Sequence, residues 1–531
     1  MKKHLHPLLK NKKVGLLLPL FSMRSARDWG IGDITSMRGW LDILNTAGLT
    51  ILNILPINEI QPGGNCPYTA LSGFAIDPVY LDPEAAEELA QAPEARDFLA
   101  SQDFKSRLEQ LRAADTIPYD EIRALKHEVL WKIYAAFRSA HILRGTPQGR
   151  AFSAFCEKNA YWLDDYALFR RLKDNSRWIS WRHWAPELSG RSPDALERVR
   201  AENAVQIDFF RYMQWLLQRQ WAAARLRAKE LGISLYGDLP FMVNRESADV
   251  WARQAEFDLS ASIGAPPDPL TPEGQHWGMP ACRWEEAEKN GFEWWRLKLK
   301  RAEELYDIYR VDHMVGFFRT WIVPENKEIK PHFDIEGEKE QEDRGRRFLK
   351  TLTASSSMLA IGEDLGLIPT YVRKVLAETG VPGHKVLRWE KYWKRKTKDY
   401  IDTAAYPSVS LATTSTHDTQ PLAVWWDKAG PAERKLFWKM VTVKEGSLPG
   451  ADKPPVFTKA LSPILKKLIN SGSRVVILPF PDLFGLKVRI NTHNTVGPQN
   501  WSFRPDTPLE EFRGRHGALL DKLAGWIREA Q

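Results

Sequence analysis

The sequence predicts an α/β fold, a (β/α)8 or TIM barrel that carries insertions, on the strength of two observations. Short apolar segments of strand length alternate along the 531 residues with longer amphipathic segments typical of helices. This alternation favours parallel strands joined by helical crossovers. Seven strand candidates lie between residues 14 and 478. That spread suits an eight-stranded barrel better than a six-stranded open sheet, although the eighth strand is not evident.

Each strand candidate runs into a polar or glycine-rich corner, and amphipathic segments precede several of them. The strand candidates are residues 14–18, 49–55, 233–236, 308–311, 358–361, 409–413 and 475–478. The helix candidates before the third, fourth and fifth strands are residues 213–231, 294–305 and 344–354. This order predicts that the parallel strands end at one common face of the barrel.

Two stretches are longer than ordinary barrel connections. Residues 83–210 are predicted to form an inserted helical subdomain, between residues 1–82, which begin the barrel, and residues 211–531, which complete it. The helix candidates in this insertion include residues 84–90 and 119–139. Residues 253–285 are rich in glycine, proline and tryptophan with little periodicity. They predict a long ordered loop, a kind of segment that is often functional.

Composition argues against several classes of partner. The longest apolar runs are far shorter than the roughly 20 residues that cross a bilayer, and no export signal is evident, so no membrane partner is expected. The net charge of +8 comes from basic residues dispersed among acidic ones, which disfavours nucleic-acid binding. Cys66, Cys156 and Cys282 form no CxxC pair, so a reducing cytoplasm fits best. Glycine-rich nucleotide motifs are lacking, and no cofactor is expected.

Acidic residues follow four of the strand candidates, at the face where barrel enzymes place reactive groups. They are Asp238 in YGDLP, Asp312 in YRVDHMVG, Glu363 in IGEDLG and Asp418 in TSTHDT. Converging carboxyls repel one another unless a site uses distinct protonation states. Glycoside cleavage is such a use, because one carboxylate attacks the anomeric carbon while a second carboxyl protonates the leaving oxygen. Arg310, two residues before Asp312 on the same side of its strand, would keep Asp312 ionised.

The simplest alternative is that these acids are helix caps or turn formers, the usual role of a single Asp at a strand end. Four acids at strand ends weaken that alternative, but spacing alone leaves the two interpretations evenly matched. The 22 tryptophans are compatible with a sugar ligand, because indole rings cover the C–H faces of pyranose rings.

Specific motifs give the chain a family resemblance. They are CPYTALSGFAIDP, GDLPFMVNRESADVWA, IGAPPD, GQHWGMP, RVDHMVGF, GEDLG, VPGHKVL and THDT, with WGIGD near the start and NWSFR near the end. By these motifs the chain resembles the amylomaltase, or 4-α-glucanotransferase, family, relatives of the α-amylases that lack their C-terminal β-domain. The resemblance implies an enzyme that transfers α-1,4-glucan segments between maltooligosaccharides, or to glucose, through a covalent glycosyl-enzyme intermediate with retention.

The matched motifs also imply roles for individual residues. Asp312 resembles the nucleophile, Glu363 the general acid/base and Asp418 the acid that holds the distorted sugar. The substrate-binding residues implied by the same motifs are Tyr68 beneath the reacting ring, Asp238 as a brace, Arg310 as partner of the nucleophile, His417 as donor to sugar hydroxyls, and Gln275 with Trp277 at the acceptor. A retaining enzyme of this kind would hold the carboxyls of Asp312 and Glu363 about 5 to 5.5 Å apart.

The chain departs from the family pattern at a few positions. PACRW places Cys282 where a tyrosine is common, and Pro481 stands before Asp482 where a glutamine is usual. RINTHNT, with His493, replaces a usual RMN followed by Pro and Gly, and Gln-Pro follows THDT where Asp and Thr are frequent. The three acids are intact, so these departures bear on substrate length and acceptor preference.

Three alternative functions remain open. An α-1,4-glucan hydrolase of the same clan would use identical acids and give the glycosyl group to water. A barrel metallohydrolase would use the Asp and His residues at 312–313 and 417–418 as ligands, with the His-Leu-His triplet at residues 4–6. That triplet precedes the first strand, so we expect no metal. A catalytically silent glucan-binding protein would have lost one of the three acids, and none is lost.

Overall fold

The computed structural model describes residues 5–268, 271–442, 453–493 and 495–531. The strands, numbered in chain order, are β1 (Lys13–Leu17), β2 (Ile51–Asn53), β3 (Ser234–Leu239), β4 (Phe257–Ala265), β5 (Gln275–Cys282), β6 (Ile308–Val311), β7 (Trp321–Pro324), β8 (His332–Phe333), β9 (Leu359–Gly362), β10 (Gly383–Val386), β11 (Ser410–Thr413) and β12 (Val475–Pro479).

The α-helices, also numbered in chain order, are α1 (Ile34–Thr46), α2 (Pro93–Ala100), α3 (Gln102–Ala113), α4 (Tyr119–Phe137), α5 (Pro147–Asn175), α6 (Pro186–Ser189), α7 (Pro193–Glu202), α8 (Ala204–Glu230), α9 (Ala248–Ala252), α10 (Trp284–Lys289), α11 (Glu293–Glu303), α12 (Glu338–Ala354), α13 (Thr370–Thr379), α14 (Leu422–Lys428), α15 (Pro431–Thr442), α16 (Phe457–Ile469), α17 (Phe480–Leu483) and α18 (Leu509–Ala530). None of the described helices is both long enough and apolar enough to cross a membrane.

Eight parallel strands form a nearly closed barrel, which confirms the predicted fold class. The strand order is β10, β11, β12, β1, β2, β3, β6 and β9. These strands are mostly buried, and β2, β9, β11 and β12 are buried at every position. Burial on both faces requires continuous apolar runs, and such runs made the strands recognisable in the sequence. The prediction for residues 308–311 matches β6, whereas residues 49–55 contain a strand of only three residues.

The strand that the sequence left unclear is β10, and it lies beside β9 where the barrel closes. Its four residues include Gly383, His384 and Lys385, which give no apolar run. The gap between β9 and β10, here called the β9–β10 seam, is bridged by a 2.9 Å hydrogen bond from the Gly362 amide to the Pro382 carbonyl. Nδ1 of His384 lies 2.9 Å from the Gly362 carbonyl oxygen as well. Side-chain and loop contacts therefore complete the barrel at this seam.

Helices α2 to α8 occupy the long connection between β2 and β3. The predicted α-helix at residues 84–90 is instead two 3-10 turns, Pro83–Ala85 and Glu87–Gln91. The Asp82 carboxylate caps the first turn and favours this tighter geometry at its start. The division of the chain at residues 83 and 210 stays a prediction, and residue 210 lies inside α8.

The prediction of an irregular loop at residues 253–285 is wrong. Strands β4 and β5 occupy most of it and join β7 and β8 in a separate antiparallel sheet, in the order β5, β4, β7, β8. Two register shifts interrupt the pairing of β4 with β5, and each shift breaks the alternation that reveals a strand in a sequence. A Cβ atom on Gly264 would lie 1.9 Å from the Gln275 carbonyl oxygen, so the close strand approach requires glycine there.

Candidate active site

A cavity of about 670 Å³ opens at the carboxyl ends of the barrel strands. The predicted site residues that line it are Asp238, Arg310, Glu363, His417 and Asp418. They come from different strands, and parallel pairing brings their strand ends to one face. Asp238 and Arg310 are direct neighbours in the β3–β6 register. The barrel therefore assembles residues that are far apart in the sequence.

The Arg310 guanidinium is the centre of the site. Its Nη1 lies 2.9 Å from both oxygens of Asp238 and 2.8 Å from Oδ1 of Asp312. Its Nη2 lies 2.9 Å from Oε2 of Glu363. The Arg310 side chain is only 11% exposed, so these charge-assisted contacts are strong and little screened. One cation thus fixes the positions of three carboxyls from three adjacent strands.

Backbone amides also hold the carboxyls of Asp312 and Glu363. The amide of Phe241 donates to Oδ2 of Asp312 at 3.2 Å, and the amide of His313 donates to Oε2 of Glu363 at 2.7 Å. His313 has φ 47° and ψ 53°, a left-handed conformation that is unfavourable for a bulky residue. This strained turn directs the His313 amide toward Glu363, a function of His313 that no sequence motif indicated.

The Asp312 and Glu363 carboxyls share this one cation. Burial raises the pKa of Asp312 to about 7, against the opposing effect of Arg310. Burial also acts to raise the pKa of Glu363, but Arg310 and His313 outweigh it and hold that pKa below its usual value. Below about pH 7 the substrate-free pair therefore holds one proton, and holds it on Asp312. The expectation from the sequence that Arg310 keeps Asp312 ionised is therefore wrong for the substrate-free site, because burial outweighs the guanidinium. A nucleophile and a proton donor need the opposite arrangement, with Glu363 protonated.

Asp418 has partners of its own. Nε2 of His417 lies 3.0 Å from Oδ2, and Nδ2 of Asn491 donates to Oδ1 at 2.6 Å. Burial acts to raise the pKa of Asp418, but His417 and Asn491 outweigh it and hold that pKa well below its usual value. Burial likewise acts to lower the pKa of His417, and the adjacent Asp418 raises it above its usual value. Asp418 is therefore ionised throughout the neutral pH range.

Tyr68 connects the two groups of carboxyls. Its hydroxyl donates to Oδ2 of Asp238 at 2.7 Å and lies 3.0 Å from Nε2 of His417. Its ring is nearly parallel to the His417 ring, with the centroids 5.5 Å apart. Trp501, in the NWSFR motif, packs on the same ring at 5.7 Å. The position of the Tyr68 ring is thus fixed on several sides.

Gln275 and Trp277 lie on β5, beside the turn that follows Asp312. Nε1 of Trp277 donates to Oε1 of Gln275 at 2.9 Å. The Trp277 ring meets the His313 ring edge to face, with centroids 4.7 Å apart. The antiparallel sheet therefore brings both side chains to the edge of the site from outside the barrel.

The residues that depart from the family pattern lie at different distances from the cavity. Cys282 ends β5 and pairs with Phe257 in the antiparallel sheet, and burial raises the pKa of its thiol. His493 lines the cavity. Pro481 lies buried in α17 beside Asp482. The Asp482 carboxylate accepts hydrogen bonds from the Ser415 hydroxyl at 2.6 Å and the Leu422 amide at 2.6 Å.

Asn491 and His384 are site residues that the sequence motifs did not indicate. The departure in RINTHNT predicts an effect on substrate length and acceptor preference, whereas its Asn491 is a hydrogen-bond partner of Asp418. His384, in VPGHKVL, lines the cavity, and its amide donates to Oδ1 of Asp364 at 2.6 Å. Both lie outside the three acid motifs, and only the closure of the barrel brings them to the site.

The described residues contain no group of three or more His, Cys, Asp or Glu side chains arranged as metal ligands. His4, which belongs to the triplet considered as a metal motif, lies outside the described residues. The acids of the cavity are instead neutralised by Arg310, His417 and hydrogen bonds.

Comparison with known proteins identifies the family. A model of the 4-α-glucanotransferase family matches residues 18–508. The chain is 32% identical to the 4-α-glucanotransferase of Chlamydia trachomatis, over 96% of this chain and 95% of that protein. It is 30% identical to the 4-α-glucanotransferase of Chlamydia muridarum, over 96% of this chain and 94% of that protein.

Solved structures share the fold. The amylomaltase from Streptococcus agalactiae in complex with acarbose superposes with a TM-score of 0.79 at 23% identity, over 97% of this chain and 99% of that one. The amylomaltase from Corynebacterium glutamicum superposes with a TM-score of 0.80 at 22% identity, over 98% of this chain and 76% of that one. With the family model matching most of its length, the chain belongs to the 4-α-glucanotransferase (amylomaltase) family of enzymes.

Proposed function

We propose that this enzyme transfers α-1,4-glucan segments between maltooligosaccharides, or to glucose, by a retaining double displacement with Asp312 as nucleophile and Glu363 as general acid/base. The observation that carries the proposal is the buried Arg310, which contacts both carboxyls and lines the cavity together with Glu363. A shared cation brings the two acids close together, as a retaining mechanism needs. The separation of 5 to 5.5 Å between the two carboxyls stays a prediction.

The proposed reaction has two steps. In the first, an oxygen of Asp312 bonds to the anomeric carbon as the bond from that carbon to the glycosidic oxygen breaks, and Glu363 gives its proton to the departing oxygen. In the second, the 4-hydroxyl of an acceptor sugar loses its proton to Glu363 and bonds to the anomeric carbon, which releases Asp312. One α-1,4 bond breaks and one forms, and both acids regain their starting protonation.

Glucan binding has to place the single proton of the pair on Glu363. A glycosidic oxygen beside Glu363 accepts a hydrogen bond only from the protonated carboxyl. The positive charge that develops at the anomeric carbon favours an ionised Asp312. Both effects move the proton from Asp312 to Glu363. The pair needs no second proton, because the substrate-free site already holds the one that the reaction uses.

The remaining site residues have supporting roles in the proposal. Asp418, ionised by His417 and Asn491, accepts hydrogen bonds from hydroxyls of the distorted sugar. Tyr68 supplies the aromatic floor beneath the reacting ring. Asp238 braces Arg310 through two hydrogen bonds. Gln275 and Trp277, at the edge of the site, hold the acceptor sugar and exclude water, and they favour transfer over hydrolysis.

The proposal includes partners and location. The substrates are maltooligosaccharides and longer α-1,4-glucans such as starch or glycogen chains, and neither nucleic acid nor a membrane is proposed as a partner. Cys66, Cys156 and Cys282 are free thiols, which is typical of a reducing compartment, so we propose the cytoplasm.

The deciding experiment is incubation with maltotriose, without added metal or cofactor, with products and reducing ends measured in parallel. Transfer exchanges one α-1,4 bond for another, so glucose and longer maltooligosaccharides should appear while total reducing ends stay nearly constant. The α-1,4-glucan hydrolase, the alternative enzyme, would raise reducing ends in step with glucose from the first turnovers. A metallohydrolase or a binding protein would leave maltotriose unchanged.

A further inference from the structure

Two exposed tryptophans lie on a small hairpin next to the active-site cavity. The hairpin follows β10, and Trp389 and Trp393 on it are 38% and 59% exposed. Most tryptophans of this chain are packed in its interior, for example Trp29, Trp40, Trp221, Trp251 and Trp294. Exposed apolar patches with a polar rim can mark ligand-binding grooves, whereas single exposed apolar residues are common. Trp389 and Trp393 are called here the tryptophan platform.

The hairpin that carries the platform is firmly attached to the barrel. The Tyr392 amide donates to the Asp399 carbonyl at 3.0 Å, which pairs the two arms of the hairpin. Nζ of Lys391 lies 2.6 Å from Oε1 of Glu433 on α15, and the Tyr400 hydroxyl bonds to the same oxygen. The platform is therefore presented in a fixed position, which lowers the entropy lost when a ligand binds.

The two tryptophans are linked to each other and to the cavity. Trp389 lines the cavity that also contains Glu363 and Asp418. Nε1 of Trp393 donates to the Trp389 carbonyl at 3.1 Å, and this bond holds the Trp393 indole against the backbone of Trp389. A ligand that leaves the cavity past Trp389 would thus meet Trp393 next.

The chemistry of the platform suits a sugar chain. Lys391 lies over one side of the Trp393 ring, at 5.3 Å from its centroid, and Arg388 lies 5.7 Å from the Trp389 centroid. An indole face covers the C–H groups of a pyranose without requiring charge on the ligand. Tyr392 offers less surface, because Arg395 covers one side of its ring at 3.7 Å. The platform is therefore mainly an indole surface with two rings.

We propose that the tryptophan platform is a remote binding site for neutral α-1,4-glucan chains that extend out of the cavity. The proposal rests on the proposed transferase function. Chains too short to reach Trp393 gain nothing from it, whereas long chains gain contact area with the indole. The platform therefore makes the enzyme select long donors over short ones.

The rival occupant is a polyanion, because the hairpin also carries lysines. Lys394, Lys396 and Lys398 are exposed in its turn. A polyanion would depend on these charges and would weaken with salt, whereas a neutral glucan depends on the indoles. Substitutions at the two kinds of residue separate the two ligands.

The test measures transfer from two donors, long-chain amylose and maltotriose. Three proteins are compared: the wild type, Trp393→Ala, and a triple variant in which residues 394, 396 and 398 are changed from Lys to Gln. We expect Trp393→Ala to lower the ratio of kcat/KM for amylose to kcat/KM for maltotriose roughly 5- to 10-fold, the scale of one aromatic contact. The triple variant should keep the wild-type ratio. Trp131→Ala, which removes a tryptophan that is 37% exposed on α4, is the matched control and should also keep it.

Three outcomes are decisive. A wild-type ratio in Trp393→Ala overturns the platform while transfer from maltotriose stands. A wild-type ratio in Trp393→Ala, together with salt-sensitive binding of polyphosphate that the triple variant loses, assigns the hairpin to a polyanion. If the wild type redistributes neither donor, the proposed transferase function is wrong. The platform is then tested by binding alone: the wild type should be retained on immobilised amylose more strongly than Trp393→Ala, and equal retention would overturn the platform.

Discussion

The two groups of carboxyls at the mouth of the barrel differ in how their charge is balanced. Asp238, Asp312 and Glu363 all contact the guanidinium of Arg310, whereas Asp418 contacts His417 and Asn491 instead. The pair of Asp312 and Glu363 holds one proton below about pH 7, whereas His417 and Asn491 keep Asp418 ionised. One site thus combines a carboxyl pair that carries a proton with a separate, fixed negative charge.

The largest expected effect comes from replacing Glu363, the proposed proton donor. Glu363→Gln cannot protonate the leaving oxygen, so transfer from maltotriose should slow by roughly 100-fold or more. A donor whose leaving group needs no protonation should recover the first step, as measured by release of that group. An activated donor no better than maltotriose in this variant would exclude Glu363 as the acid/base.

A smaller loss of activity is expected from removing one hydrogen-bond partner of Asp418. Asn491→Ala removes a hydrogen bond to ionised Asp418, and bonds to charged groups contribute enough for a loss of roughly 10-fold in kcat/KM on maltotriose. The control is Asn470→Ala, which removes an exposed amide that bonds the Lys466 carbonyl at the end of α16. Equal activities in the two variants would mean that Asn491 does not position Asp418.

The pH dependence should separate the two groups more finely. The pair of Asp312 and Glu363 loses its last proton as the pH rises through about 7, and the mechanism needs that proton, so kcat/KM should fall above this pH. Asn491→Ala should lower kcat/KM at every pH without changing the pH at which kcat/KM begins to fall, because Asn491 contacts Asp418 and not the pair of Asp312 and Glu363. A profile that stays flat to pH 9 would contradict the shared proton.

The smallest effect expected is on stability. The pKa of Asp312 is raised from 3.8 to about 7. Between these values the folded chain binds more protons than the unfolded chain, so the contribution of Asp312 to stability declines as the pH rises. Asp312→Asn has no carboxyl at this position. The difference in Tm between this variant and the wild type should therefore shift in favour of the variant by roughly 2 °C between pH 4 and pH 8. Equal differences at both pH values would contradict the raised pKa.

The sequence predicted the parts of the molecule that local patterns determine. Parallel barrel strands are buried on both faces, so their apolar runs stand out, as in β12. The family motifs around Asp312, Glu363 and Asp418 predicted which acids to look for, and Arg310 was predicted to contact Asp312 from its position two residues earlier on the strand. Their catalytic roles are proposals that the experiments above test.

Other features depend on contacts between distant parts of the chain. The polar strand β10 is defined by its neighbour β11, and the strands β4 and β5 by a pairing that register shifts interrupt. Asn491 lies 73 positions after Asp418 in the chain, and only the folded barrel brings the two together. The position of the proton between Asp312 and Glu363 depends on burial and on the shared guanidinium. No short motif encodes the contact of Asn491 with Asp418 or the position of this proton.

The β9–β10 seam has a consequence for heat inactivation. Elsewhere in the barrel, neighbouring strands are joined by parallel ladders, for example five register pairs between β1 and β12. The seam relies on the bond between Gly362 and Pro382 and on the contacts of His384. Regions with few cooperative backbone bonds open first in hydrogen exchange. Because Glu363 directly follows β9, local opening of the seam would abolish activity before the rest of the barrel unfolds. The temperature at which half of the activity is lost should therefore lie below the Tm.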